Sequence, residues 1–136
     1  MEHDGRSESD ALQAPRVLVV DDEDTIRDTL VEILAANGYV AVGATDGEDA
    51  LRKLRAPGEH WSLILLDLTM PVMDGATFRD EQRRDPALAS IPVVVISAYR
   101  DVASKAADLQ VAAFLSKPLN VPALLALLRT HARAKH

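Results

Sequence analysis

Short apolar runs rich in Val, Ile and Leu recur along the chain: RVLVV (16–20), YVAVGA (39–44), SLILLD (62–67), IPVVVIS (91–97) and AAFLS (112–116). Runs of this length, bounded by polar and turn residues, predict strands. Between them the apolar spacing becomes helical. Ile26, Leu30, Ile33 and Leu34 form the stripe of a first helix that stops at Asn37-Gly38, where glycine can take the left-handed conformation that ends a helix. A second helix is expected from Asp46 as N-cap, with Ala50, Leu51 and Leu54 inward, to the stop at Ala56-Pro57-Gly58. A last one begins at Asn120 as cap with Pro122 in its first turn, and places Val121, Leu124, Leu125 and Leu128 on one face. The segments after Gly75 and after Asp101 are poorer helix signals, but the intervals between strands are long enough to demand crossovers there too. Five strands alternating with five helices predict an α/β fold, a parallel sheet covered on both faces, and strands that are continuously apolar agree with it. The core domain is expected over 16–134, behind an acidic, polar N-terminal tail, 1–15, that reads as disordered.

Composition narrows the class. With 136 residues, 48% of them hydrophobic, one domain with a sizeable core is expected. The absence of cysteine excludes disulfides, thiolate nucleophiles and thiolate zinc sites, and suits the reducing cytoplasm that we take as the expected location. No apolar run approaches the roughly 20 residues of a membrane span, and the start lacks the basic-then-apolar order of a signal peptide. A net charge of −6 argues against a nucleic-acid surface. The basic close, RTHARAKH, reads as cations favoured at a helix C-terminus.

Ligands of open parallel sheets bind beyond the carboxyl ends of the strands. Those ends carry Asp21-Asp22, Asp67, Ser97 and Lys117. Each has an ordinary explanation as a helix cap, turn residue or solvated end. Together the explanations fare worse, because three carboxylates at one edge repel one another unless a cation neutralises them. A hard divalent ion, Mg²⁺ or Mn²⁺, is the natural partner of such oxygen donors. Lys117 adds a second positive charge and Ser97 a hydroxyl donor, so the constellation suits phosphoryl transfer, where positioning and charge neutralisation carry most of the catalysis.

VLVVDDE (17–23), LILLDLTMPVMDG (63–75), VVVISA (93–98) and FLSKP (114–118) together resemble the receiver domain of two-component response regulators, single-domain type. The resemblance implies a flavodoxin-like sheet of order 2-1-3-4-5 and a phosphoacceptor at Asp67, fed by a histidine kinase, a histidine phosphotransfer protein or a small phosphodonor. It implies Mg²⁺ held directly by Asp22 and Asp67, through water by Asp21, and by the backbone carbonyl of Thr69. Ser97 and Lys117 would contact the phosphoryl oxygens, the Lys117-Pro118 peptide would be cis, and Ser97 with Phe114 would form the switch. Phosphorylation would alter the face made by the helix after Ser97, the strand carrying Phe114 and the final helix, for a downstream target or a second copy to read. No enzyme activity is expected beyond self-phosphorylation and slow autodephosphorylation.

Some positions depart from the family pattern. Phe114 stands where tyrosine is frequent, Ser97 where threonine is commoner, and Gln110 where glycine is usual, which leaves the turn before the fifth strand open. Thr69 and Tyr99 occupy positions that tune acyl-phosphate lifetime in the family. Phe114 could instead be a fixed core residue. Three other functions compete: an aspartyl phosphatase, disfavoured because Thr69 stands where its second acid would be; a receiver-like adaptor that needs no phosphorylation; and the receiver part of a longer regulator.

Overall fold

The computed structural model describes residues 14–58, 60–68, 75–97 and 107–132. In chain order the elements are β1 (Arg16–Val20), α1 (Asp24–Ala36), β2 (Val40–Ala44), α2 (Gly47–Leu54), β3 (Leu63–Asp67), α3 (Gly75–Arg84), β4 (Val93–Ser97), β5 (Ala113–Ser116) and α4 (Val121–His131). The strands form one five-stranded sheet, all parallel, in the order β2-β1-β3-β4-β5. Thr69, Tyr99, most of the expected helix after Asp101, and residues 1–13 of the tail lie outside the described residues. Pro15, assigned to the tail by its sequence, already joins the sheet, since its carbonyl accepts the Val40 amide at 2.9 Å.

Alternate residues of each inner strand feed opposite faces, as the period of two requires. Leu18, Val20, Ile64, Leu66, Val93 and Val95 pack with Leu51 and Leu54 of α2 and Phe78 of α3. Val17, Val19, Leu63, Leu65, Val94 and Ile96 pack with Leu30 and Leu34 of α1 and Leu124 and Leu128 of α4. Continuous burial holds for β3 and β4 and nearly so for β1. It fails for β2 and β5, which have a single neighbouring strand each and alternate or thin out in burial. Val121, expected on the inward face of α4, is 37% exposed: it opens the helix beyond the sheet and borders a surface groove instead.

Local chemistry sets the boundaries. The Asp46 side chain accepts the Asp49 amide at 2.8 Å and the Asn120 side chain accepts the Ala123 amide at 3.0 Å, so both expected caps are made. Gly38 has φ +93°, and the Tyr39 amide reaches back to the Leu34 carbonyl at 3.1 Å, closing α1 with the wide turn that only a left-handed residue permits. The Gln110 turn is also left-handed, φ 57°, so glutamine adopts there the conformation that glycine would reach more cheaply.

α3 is held differently from the others. Its buried face carries Phe78, Arg79 and Gln82 rather than a run of aliphatics. Arg79 donates to the Leu109 carbonyl (3.0 Å), the Gln110 carbonyl (2.8 Å) and the Gln82 side chain (2.7 Å). Gln82 in turn donates to the carbonyls of Leu88 and Ile91. The guanidinium is pushed below its ordinary pKa first by burial and then by neighbouring Arg83.

Candidate functional site

The register of the sheet assembles the acidic edge. Val20 is level with Leu66, so the residues that follow them, Asp21 and Asp67, emerge side by side. Asp67 is level with Ile96, and Ser97 is level with Ser116, which directly precedes Lys117. The Asp21 amide donates to Ala44 at 3.1 Å and the Lys117 amide to Ser97 at 2.9 Å, so both residues continue the ladder of their strands. Asp21, Asp67 and Ser97 are buried, whereas Asp22 is exposed. Each of the three aspartates offers one carboxylate oxygen, and these oxygens lie within 4.8 Å of one another.

Lys117 leans over this cluster with its Nζ 3.7 Å from Asp21 Oδ2 and 3.8 Å from Asp67 Oδ2. Both separations are ion-pair distances longer than a hydrogen bond. One ammonium between carboxylates leaves the edge short of positive charge. Oxygen ligands on opposite sides of an octahedral Mg²⁺ are separated by about 4.2 Å, so this all-oxygen set fits a hard divalent ion with small side-chain adjustments or with one ligand acting through water. The Lys117-Pro118 peptide is cis. Thr69, the remaining ligand expected from the sequence, is outside the described residues. Phe114 is 42% exposed on the edge strand, which removes the alternative of a fixed core residue.

Two supporting residues were not anticipated. Arg27 on α1 donates to the Asp21 carbonyl at 2.9 Å and pairs with Asp24 at 2.6 Å, fixing the turn that points Asp21 and Asp22 at the site. Its stem runs so close to Gly43 that a Cβ there would lie 3.0 Å from Arg27 Cδ. The Asp21 carboxylate is aimed by the Glu23 amide, which donates to Oδ1 at 2.9 Å. The available signal was an arginine in the N-terminal part of a helix, where the dipole disfavours a cation. Gly75 is the second. A Cβ on it would stand 2.7 Å from the Leu68 Cα, and its amide donates to the Leu68 carbonyl at 3.0 Å, so α3 starts against the chain leaving Asp67.

A family model for the response regulator receiver domain matches residues 17–129. The chain is similar to the probable transcriptional regulator ycf27 of Porphyridium aerugineum, 34% identical over 121 residues that cover 88% of this chain and 48% of that protein. It is also similar to the DNA-binding dual master transcriptional regulator RpaA of Synechocystis, 35% identical over 119 residues, 85% of this chain and 48% of that one. The chain thus spans about half the length of these curated relatives. Among solved structures, a response regulator receiver protein from Pseudomonas putida superposes with a TM-score of 0.79 at 33% identity, covering 86% of this chain and 97% of its own. The chemotaxis protein CheY4 of Vibrio cholerae does so at 0.78 and 28% identity, covering 87% and 98%.

Proposed function

The chain belongs to the response regulator receiver family, and on that premise we propose that it is a phosphorylation-dependent signalling module with Asp67 as the acceptor. The observation that carries this reading is the convergence of Asp67, Asp21, Asp22 and Lys117 at one edge of the sheet. An Asp67 carboxylate oxygen attacks the phosphorus of a phosphohistidine; the P–N bond breaks, and the imidazole nitrogen leaves with the electron pair and takes up a proton from solvent. Asp21, Asp22 and Asp67, with the Thr69 carbonyl, would hold Mg²⁺ or Mn²⁺, which neutralises phosphoryl charge when bound. The Lys117 ammonium is close enough to turn from Asp67 to a phosphoryl oxygen, and the Ser97 hydroxyl is the donor for another.

Asp67 is buried, so the donor imidazole has to be delivered from above the strand ends. Beside Lys117 lies a largely apolar groove of about 380 Å³ bordered by Ile26, Leu30, Ile33, Leu119 and Val121. It is suited to a helix of a histidine kinase or phosphotransfer protein that lays apolar residues there while holding its histidine over Asp67. Output follows from Ser97. Phosphate at Asp67 draws its hydroxyl inward and biases the exposed Phe114 ring, changing the face made by the helix after Ser97, β5 and α4, where a protein target or a second copy binds.

No helix among the described residues is long and apolar enough to cross a membrane. We place no nucleic-acid contact on the receiver itself, given the whole chain's net charge of −6. The greater length of the relatives favours a second reading, in which the same receiver is joined to an output domain, as the DNA-binding name of the Synechocystis protein suggests for that protein. Both readings share the acceptor. Incubated with Mg²⁺ and acetyl phosphate or phosphoramidate, the protein should gain one phosphoryl group by intact mass, and Asp67→Asn should gain none. Undiminished labelling of that variant would place the nucleophile elsewhere.

A further inference from the structure

At the end of the sheet opposite to Asp67, the residues entering β3 and β4 line a cleft of about 530 Å³. This is within the range of small-molecule sites, which run from about 300 to 1,000 Å³. Trp61 and Ser62 form part of its wall, and both are 6% exposed. The indole Nε1 of Trp61 and the hydroxyl of Ser62 are buried and have no hydrogen-bond partner among the described residues. Buried polar groups are nearly always paired, so two adjacent unpaired ones on a cleft wall mark a place where a partner group belongs. The indole is already held from one side, with the Arg16 guanidinium 4.6 Å from its ring centroid.

The rest of the lining says what that partner group is. Indole N–H can only donate and so requires an acceptor, while the Ser62 hydroxyl and the two imidazoles, His60 and His131, can donate as well as accept. Among the described lining residues the one carboxylate is Asp85, whose Oδ2 accepts from Arg55 Nε at 3.1 Å and whose Oδ1 accepts from the Ala87 amide at 3.0 Å. Arg55 keeps its terminal N–H groups for another acceptor. Among the described lining residues the fixed charges are thus Arg55 and Asp85, and Arg55 has N–H groups to spare. Leu88, Ile91 and Pro92 supply an apolar wall.

We propose that this cleft is a second ligand site, separate from the phosphorylation site, that takes a small aromatic carboxylate. The carboxylate accepts from the Trp61 and Ser62 donors and from Arg55, and the ring lies on the apolar wall. The full chain has a single tryptophan, so its indole N–H gives one side-chain peak in a ¹⁵N–¹H correlation spectrum. Titration with sodium benzoate should move that peak saturably, and benzyl alcohol, which keeps the ring and lacks the charge, should not. Asp67→Asn should bind benzoate like the wild type, which separates this site from the reading of the acidic edge. Ser62→Ala and Arg55→Ala, followed at the same indole peak, should each weaken binding at least tenfold. A peak that stays put, that follows benzyl alcohol equally, or that keeps its midpoint in both variants overturns the proposal.

Discussion

At the level of single residues, the site depends on a few atoms whose replacements have calculable consequences. Gly75 is required by contact and not by conformation, because a methyl group there meets the backbone of Leu68, which cannot swing aside as a side-chain end would. Gly75→Ala should therefore destabilise the fold by about 1–3 kcal/mol, the usual range for overpacking, despite alanine's better helix propensity. A urea midpoint at or above that of the wild type would show that the α3 start can relax. Asp49 predicts a pH dependence. Burial would raise its pKa, but the Thr45 amide, Lys53 and Arg52 outweigh that and hold it below the ordinary 3.8. A depressed native pKa means that the unfolded chain binds more protons in this window. The carboxylate thus contributes stability above pH 3.8, which is lost as pH falls through the lowered value. Asp49→Asn should be less stable than wild type near neutrality, and the gap in urea midpoint should close as pH falls from about 5 towards 2. A gap independent of pH would mean that the side chain acts through hydrogen bonds alone.

Among the elements, α3 shows what the sequence reveals and what it conceals. The strands were legible as short unbroken aliphatic runs, and three of the helices because their buried positions are aliphatic and recur at the helical period of 3.6. α3 gave a weak signal for a physical reason: two of the positions it buries are Arg79 and Gln82, which a hydrophobicity pattern scores as surface. Only their partners, the carbonyls of Leu88, Ile91, Leu109 and Gln110, make that face a core face, and those partners arrive through tertiary structure. The acidic edge was legible because strand ends in a parallel sheet share one edge whatever the loops do. Arg27 offered only its unfavourable place early in a helix, since the group it serves is a backbone carbonyl that has no residue identity to read. The cost of losing the polar face can be stated. Arg79→Met keeps the apolar stem and leaves two backbone carbonyls and the Gln82 side-chain oxygen without this donor, which should lower stability by about 2–4 kcal/mol. Arg79→Lys should recover little, because a single ammonium cannot span the forked contacts to Leu109, Gln110 and Gln82. Full recovery by lysine in chemical denaturation would show that charge rather than geometry holds the turn before β5.

For the molecule as a whole, the two ends of the sheet are chemically different and should respond separately. The carboxyl edge gathers Asp21, Asp22 and Asp67 against Lys117, while the amino edge carries Trp61, six residues and so about 20 Å before Asp67 along an extended chain. If Mg²⁺ binds the acidic edge of the folded chain and not the unfolded one, stability must rise with its concentration. At tenfold excess over the dissociation constant the gain is RT ln 11, about 1.4 kcal/mol, or a shift of roughly 4–6 °C in Tm for a domain of this size. Asp22 is exposed, so Asp22→Ala removes one charge without opening a cavity. The variant's metal-free Tm should equal or exceed that of the wild type, because like-charge repulsion at the edge is relieved, while its Mg²⁺-induced shift should largely vanish. Trp61 emission under native conditions should stay flat through the same titration. An equal shift in the variant, or a saturable quench of Trp61, would mean that the ion binds somewhere other than the edge where the three aspartates meet.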